Sequence, residues 1–88
     1  VLRHPVDGKV SQDQRIALLS LAYDLTSKEA EVALQVARGL SVPEIAETLA
    51  IAPSTVRSHL KIVFQKIGVH SQNELTARIL SGPVGWRA

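Results

Sequence analysis

The sequence predicts an all-α chain of five helices. Three observations carry that expectation. Apolar residues recur at helical spacing in five separate runs, four of these runs open on a Ser/Thr-x-x-Glu/Gln signature, and no useful length of chain alternates apolar and polar residues with period two. Eighty-eight residues make one small domain, and a 45% hydrophobic content is enough for a single aliphatic core.

Residues 1–10 contain Pro5 and an Asp7-Gly8 turn signal with too few apolar side chains for an element, and read as a linker. The chain lacks Met and opens on Val1 with no visible signal peptide, so an excised domain is expected. Ser11 with Gln14 has the spacing of a capping box and starts a helix expected to run to about Tyr23. Its apolar residues Ile16, Ala17, Leu18, Leu19, Leu21 and Ala22 occupy almost the whole circumference, so residues 11–24 are expected to find two packing partners.

The same signature recurs at Thr26 with Glu29, Ser41 with Glu44, and Ser71 with Glu74. The helix after Thr26 ends at Gly39, suited to the left-handed residue beyond a helix, and the short one after Ser41 stops before Pro53. Pro43 falls in a first turn, where a missing amide is harmless. A fourth helix starts at Pro53 and ends at Gly68, and the last runs from Ser71 to Ser81, closed by Gly82-Pro83 ahead of a flexible tail at 82–88.

Composition removes several function classes. Without Cys there is no disulfide framework, thiolate metal site or cysteine nucleophile, and a reducing cytoplasm suits the chain. Three aromatic residues, Tyr23, Phe64 and Trp86, are too few for a stacking platform on single strands. No apolar run approaches the roughly 18 residues of a membrane span. Net charge is only +2, but it is unevenly placed. Residues 24–50 carry five acids against two cations, whereas 51–73 carry no acid and the cations Arg57, Lys61 and Lys66, with His59 and His70 beside them. A polyanion is expected to meet the chain there.

At 100° per residue the helix from Pro53 has two distinct faces. Val56, Leu60, Val63 and Ile67 fall within about 60° of one another, and Ser54, Ser58, Lys61 and Gln65 share a similar arc on the opposite side, with Arg57 flanking it. An aliphatic stripe for a core backed by hydroxyls, an amide and long cations is what a major groove requires, although such a face is more often merely solvated. The preceding residues favour the groove: Ile45, a small Ala46 for a close helix crossing, Leu49, a tight turn at Ala50, then Ile51 and Val56 have helix-turn-helix spacing.

These residues resemble the LuxR-type helix-turn-helix domain found at the C-terminus of many bacterial transcription regulators. The resemblance covers about Leu25 to Leu80. It rests on Leu25-Thr26, Glu29, Glu31-Val32, Ala37, Gly39, Ser41, Glu44-Ile45-Ala46, Leu49, Ile51, Thr55-Val56-Arg57-Ser58-His59-Leu60 and Lys66-Ile67-Gly68-Val69. It implies a compact four-helix DNA-binding domain at 25–81, here preceded by an extra N-terminal helix, whose third helix (about 53–67) reads the major groove of double-stranded DNA as half of a homodimer in the intact protein. It assigns base-edge contacts to Arg57, Ser58 and Lys61 and places Thr55 near the phosphates. Ser54 and Gln65 on the polar face, with Lys66, make up the expected backbone or flanking set, Lys66 being equally suited to solvent or to the helix dipole. His59 lies toward the core edge and reads as a packed residue rather than a ligand.

The sequence departs from the family pattern at Ala52, which forgoes a cap worth about 1 kcal/mol, at Val42-Pro43, at Ile62 and at Gln72. These changes remove polar contacts and imply weak electrostatic affinity for such a domain, though Ile62 offers a surface for a thymine methyl. The alternative reading is a helical interaction module that docks RNA polymerase or another regulator without DNA. An enzyme is not expected, because adjacent Ser58 and His59 point about 100° apart and no Asp is near in sequence. No metal or cofactor is expected. The outer side of residues 11–24 is the expected dimer seam or contact to a sensory domain, with Leu80 as a second option.

Overall fold

Four of the five helix starts are settled by the side chain just ahead of each. In a computed structural model that describes residues 11–81, the helices are α1 (Gln12–Tyr23), α2 (Ser27–Ala37), α3 (Val42–Leu49), α4 (Pro53–Ile67) and α5 (Gln72–Ser81). The expected linker at 1–10 and tail at 82–88 lie outside the described residues. No strand occurs among those described, and no helix is long and apolar enough to cross a membrane.

Reciprocal capping boxes close the N-termini of α1, α2 and α3 through Ser11 with Gln14, Thr26 with Glu29, and Ser41 with Glu44. Each satisfies two amides that the helix leaves without a carbonyl. The fourth signature folds differently. Ser71 Oγ accepts the Glu74 amide, but the Glu74 carboxylate reaches one residue further back and accepts the His70 amide at 2.6 Å. At α4, Ala52 has no side chain that accepts, and Pro53 stands in the first turn.

The C-termini are closed by left-handed residues. Gly39 (φ 92°) lets the Gly39 and Leu40 amides turn back to the Val36 and Gln35 carbonyls, and Gly68 (φ 84°) does the same work after α4. Between α3 and α4 the left-handed position is held by Ala50 (φ 57°), whose Cβ is strained there, while the Ile51 amide bonds the Ala46 carbonyl at 3.0 Å.

Packing centres on α2. Ala30, Val32, Ala33, Leu34 and Val36 are all buried, and α1, α4 and α5 each lie against this helix, with α3 touching it lightly and packing chiefly on α4. Val56, Leu60, Val63 and Ile67 bring α4 into the core, Ile45 and Ala46 bring α3, and Leu75 and Ile79 bring α5. Leu49 is half-buried against them.

Of the two partners expected for α1, one lies within this chain. Its packing is chiefly against α2, through fully buried Leu19 with Ile16 and Tyr23 beside it. The opposite side stays open, with Leu21 83% and Leu18 40% exposed. One neighbour covers one side of a helix, and within this chain the other side is left uncovered.

The burial pattern makes a direct stability test. Leu60→Ala should lower unfolding free energy by about 2–5 kcal/mol, because a buried side chain leaves a cavity that its neighbours fill only partly. Ser58→Ala, on the exposed side of the same helix, should change it by less than about 0.5 kcal/mol. Thermal and urea melts giving the reverse order would show the helix to be rotated from this placement.

Candidate nucleic-acid interface

The outward face of α4 is set by its inward face. With Val56, Leu60, Val63 and Ile67 fixed in the core, the helical repeat leaves Ser54, Thr55, Arg57, Ser58, Lys61 and Gln65 exposed along more than three turns. No acid interrupts them, and Ile62 adds a partly exposed aliphatic side chain at the margin. His59 is half-buried beside this face.

Arg57 and Lys61 also border a shallow groove of about 340 Å³, whose other lining residues are Val42 of α3, Leu60 and Phe64 of α4, and Gln72 of α5. Lys61 and Phe64 continue into a second depression of about 350 Å³ lined by Gln65, Gly68, Val69 and His70. The structure therefore brings the first residue of α5 next to Arg57 and Lys61 of α4. Arg57 presents a planar fork suited to a base edge or phosphate, Lys61 a point charge, and the serines and amides donate or accept at short range.

Lys66 is drawn to the other flank. Its Nζ donates to Glu29 Oε1 at 2.9 Å; the Lys66 side chain stays 33% exposed while that of Glu29 is only 7% exposed. Five residues beyond Lys61, Lys66 is turned about 140° away from it, onto the flank that meets the start of α2. The ion pair with Glu29 competes with any phosphate for this ammonium.

The same Glu29 oxygen accepts the Thr26 amide at 3.0 Å. That backbone hydrogen bond does most to hold the Glu29 carboxyl below its usual range. Burial opposes it, and the Lys66 ammonium adds to the lowering. Two further contacts escaped the sequence reading. Arg78 Nη1 of α5 donates to the Ile67 carbonyl at 3.1 Å, satisfying an open end of α4, and Thr76 Oγ1 donates to the Val36 carbonyl at 3.3 Å. Periodicity carries no trace of either, since both partners lie at helix ends remote in sequence.

Comparison with known proteins agrees with this arrangement. The model of a family described as GerE, bacterial regulatory proteins of the luxR family, matches residues 23–79. The transcriptional regulatory protein UhpA of Escherichia coli (strain K12) is 38% identical over 74 residues, which cover 83% of this chain and 38% of that protein. A probable transcriptional regulatory protein NarL of Mycobacterium tuberculosis (strain ATCC 25618 / H37Rv) is 38% identical over 73 residues, 83% of this chain and 34% of its own length. The probable HTH-type transcriptional regulator GfsR of Streptomyces halstedii is 39% identical over 61 residues, 69% of this chain and 25% of its own. The chain thus spans well under half the length of these relatives. No solved structure gives a match.

The Glu29 contacts predict a pH dependence with a definite sign. Because the folded-state pKa lies below the unfolded value, Glu29 contributes its full stability above the ordinary carboxylate range and loses it as pH falls through the lowered pKa. Urea melts between pH 7 and pH 3 should show a smaller acid-induced loss in Glu29→Gln than in the unchanged chain. Equal losses would remove Glu29 as a contributor.

Proposed function

The chain belongs to the luxR family of bacterial regulatory proteins and carries that family's helix-turn-helix DNA-binding domain, and on that premise we propose that α4 is the helix that reads the major groove. The observation that carries the proposal is the exposed, acid-free face of α4, backed by a fully packed aliphatic one. In this reading Arg57, Ser58 and Lys61 meet base edges. Arg57 donates a bidentate pair to guanine O6 and N7, and Lys61, one turn on, reaches a guanine or a phosphate. Ser54, Thr55 and Gln65 flank them at the sugar-phosphate backbone, and Lys66, bonded to Glu29, lies at the edge of this set.

The domain as proposed comprises residues 25–81, with 11–24 added as a helix of separate role. It works in the cytoplasm as the output part of a transcriptional regulator whose remaining length the relatives' sizes accommodate. It binds as a homodimer in the intact protein, two α4 helices meeting the duplex about one DNA turn, roughly 34 Å, apart. The outer side of α1, with Leu18 and Leu21, and the exposed Leu80 of α5 are the two candidate seams. Docking on RNA polymerase or another regulator is the second reading, and the open apolar side of α1 is the observation that favours it.

Selection of bound duplexes from a random library, followed by titration over a range of salt, tests the first reading. Phosphate contacts give a log–log slope of about −0.9 for each one neutralised, whereas a protein interface responds far less. On the selected duplex, Arg57→Ala should cost about 1–3 kcal/mol and relax preference at one base pair. Unchanged affinity and preference would take Arg57 off the reading face.

Assembly has its own measurement. Sedimentation at high micromolar concentration should show self-association that Leu18→Glu and Leu21→Glu abolish if α1 is the seam, or that Leu80→Glu abolishes if α5 is. A monomer throughout, with two-site binding unaltered by all three, would leave the intact protein's pairing to other parts of the chain.

A further inference from the structure

The two ends of α4 are held differently. At the C-terminal end, Lys66 is bonded to Glu29 of α2 and the Ile67 carbonyl to Arg78 of α5, at 2.9 and 3.1 Å. Two neighbouring helices therefore grip the last turn through directional contacts that involve charge, in addition to the packing of Val63 and Ile67. At the N-terminal end no side chain caps the helix, and it is held by apolar packing, of Val56 in the core and of α3 alongside, without a charged contact. Apolar packing resists separation but orients weakly, whereas a charged hydrogen bond fixes distance and direction together.

From these contacts we propose that Glu29 and Arg78 are positioning residues, which set the placement of Arg57, Ser58 and Lys61 from the far end of the helix. Arg57 lies nine residues from Lys66, about 13.5 Å along the axis at 1.5 Å per residue. A tilt of about 5° at the C-terminal grip displaces Arg57 by about 1.2 Å, more than a bidentate hydrogen-bond pair to a base edge tolerates. Phosphate contacts by long side chains absorb such a shift. Loosening the grip therefore erodes discrimination between sequences while leaving non-specific attachment intact.

Glu29 suits this role because its carboxylate serves two helices at one point, closing the α2 capping box and holding Lys66. The two duties are separable by chemistry. In α1 the neutral amide of Gln14 closes an equivalent box, accepting the Ser11 amide at 3.0 Å. Glu29→Gln is thus expected to keep the cap and the side-chain volume while removing the charge that holds Lys66.

The proposal rests on α4 as the reading helix, and the test keeps the two apart. Affinities are measured for a duplex selected on the unchanged chain and for a scrambled duplex of the same composition, at one salt concentration and well below the melting temperature. Their ratio cancels changes in net charge, which act on both duplexes alike. Glu29→Gln and Arg78→Met should lower the ratio about five- to tenfold, and Lys66→Arg, which preserves the pair, should leave it within twofold. In parallel, residual dipolar couplings of the DNA-free protein should show that Glu29→Gln changes the orientation of the Thr55–Lys61 amides relative to α2 and α5. Ratios within twofold of the unchanged chain for both loosening variants, or couplings that do not move, would overturn the proposal. If the unchanged chain selects no duplex, the DNA reading fails, and the couplings alone decide whether Glu29 positions α4.

Discussion

Everything in this domain is arranged around the near-complete burial of α2. Glu29, Ala30, Val32, Ala33, Leu34, Gln35 and Val36 are seven of its eleven residues, and all are buried. A helix of three turns enclosed this far needs neighbours on several sides, and α1, α4 and α5 supply them. Ala30 and Ala33 add little bulk where these helices approach, and the β-branched and leucine side chains fill the spaces between. α4 is therefore placed by α2 rather than by its own turn partner alone. α3 completes the turn and covers one flank, but the base on which α4 rests is α2.

That dependence gives Glu29 its unusual position. A carboxylate this enclosed is costly unless every lone pair is used, and here the cost is offset by an amide at the positive end of α2 and by an ammonium at the negative end of α4. The charges of two helix ends are neutralised at one place. Pairs of this kind add little net stability compared with apolar packing, and their better-supported use is to select one arrangement among several of similar energy.

Local chemistry made most of the fold legible in the sequence. Capping signatures at Ser11, Thr26 and Ser41 and left-handed ends at Gly39 and Gly68 each involve residues within a few positions, so a linear reading recovers them. The two faces of α4 were legible for the same reason, since one period relates every residue on them. What escaped depends on partners far apart in the chain. Lys66 and Glu29 are 37 positions apart and Thr76 and Val36 are 40, and no periodicity links them. One signal was available: Lys66 falls about 100° from Gln65 on the helix, already outside the arc of Lys61 and Ser58. For α1 the apolar excess was visible, but the number of neighbours is a property of the packed assembly. At Ser71 the signature was right about the helix but not about the return bond, which the His70 amide makes in place of that of Ser71.

The turn between α3 and α4 has a thermodynamic consequence. Ala50 sits in a left-handed conformation that costs a residue with a Cβ about 1–2 kcal/mol, and two positions later Ala52 offers the next helix no cap. Both omissions fall immediately before the first turn of α4, which is held instead by the Thr55 and Val56 amides on the Ala52 carbonyl and by Val56 in the core. The strain and the missing cap are stability forgone at the one turn that joins α3 to α4, offset by the burial of Ile45 and Val56 on either side of it.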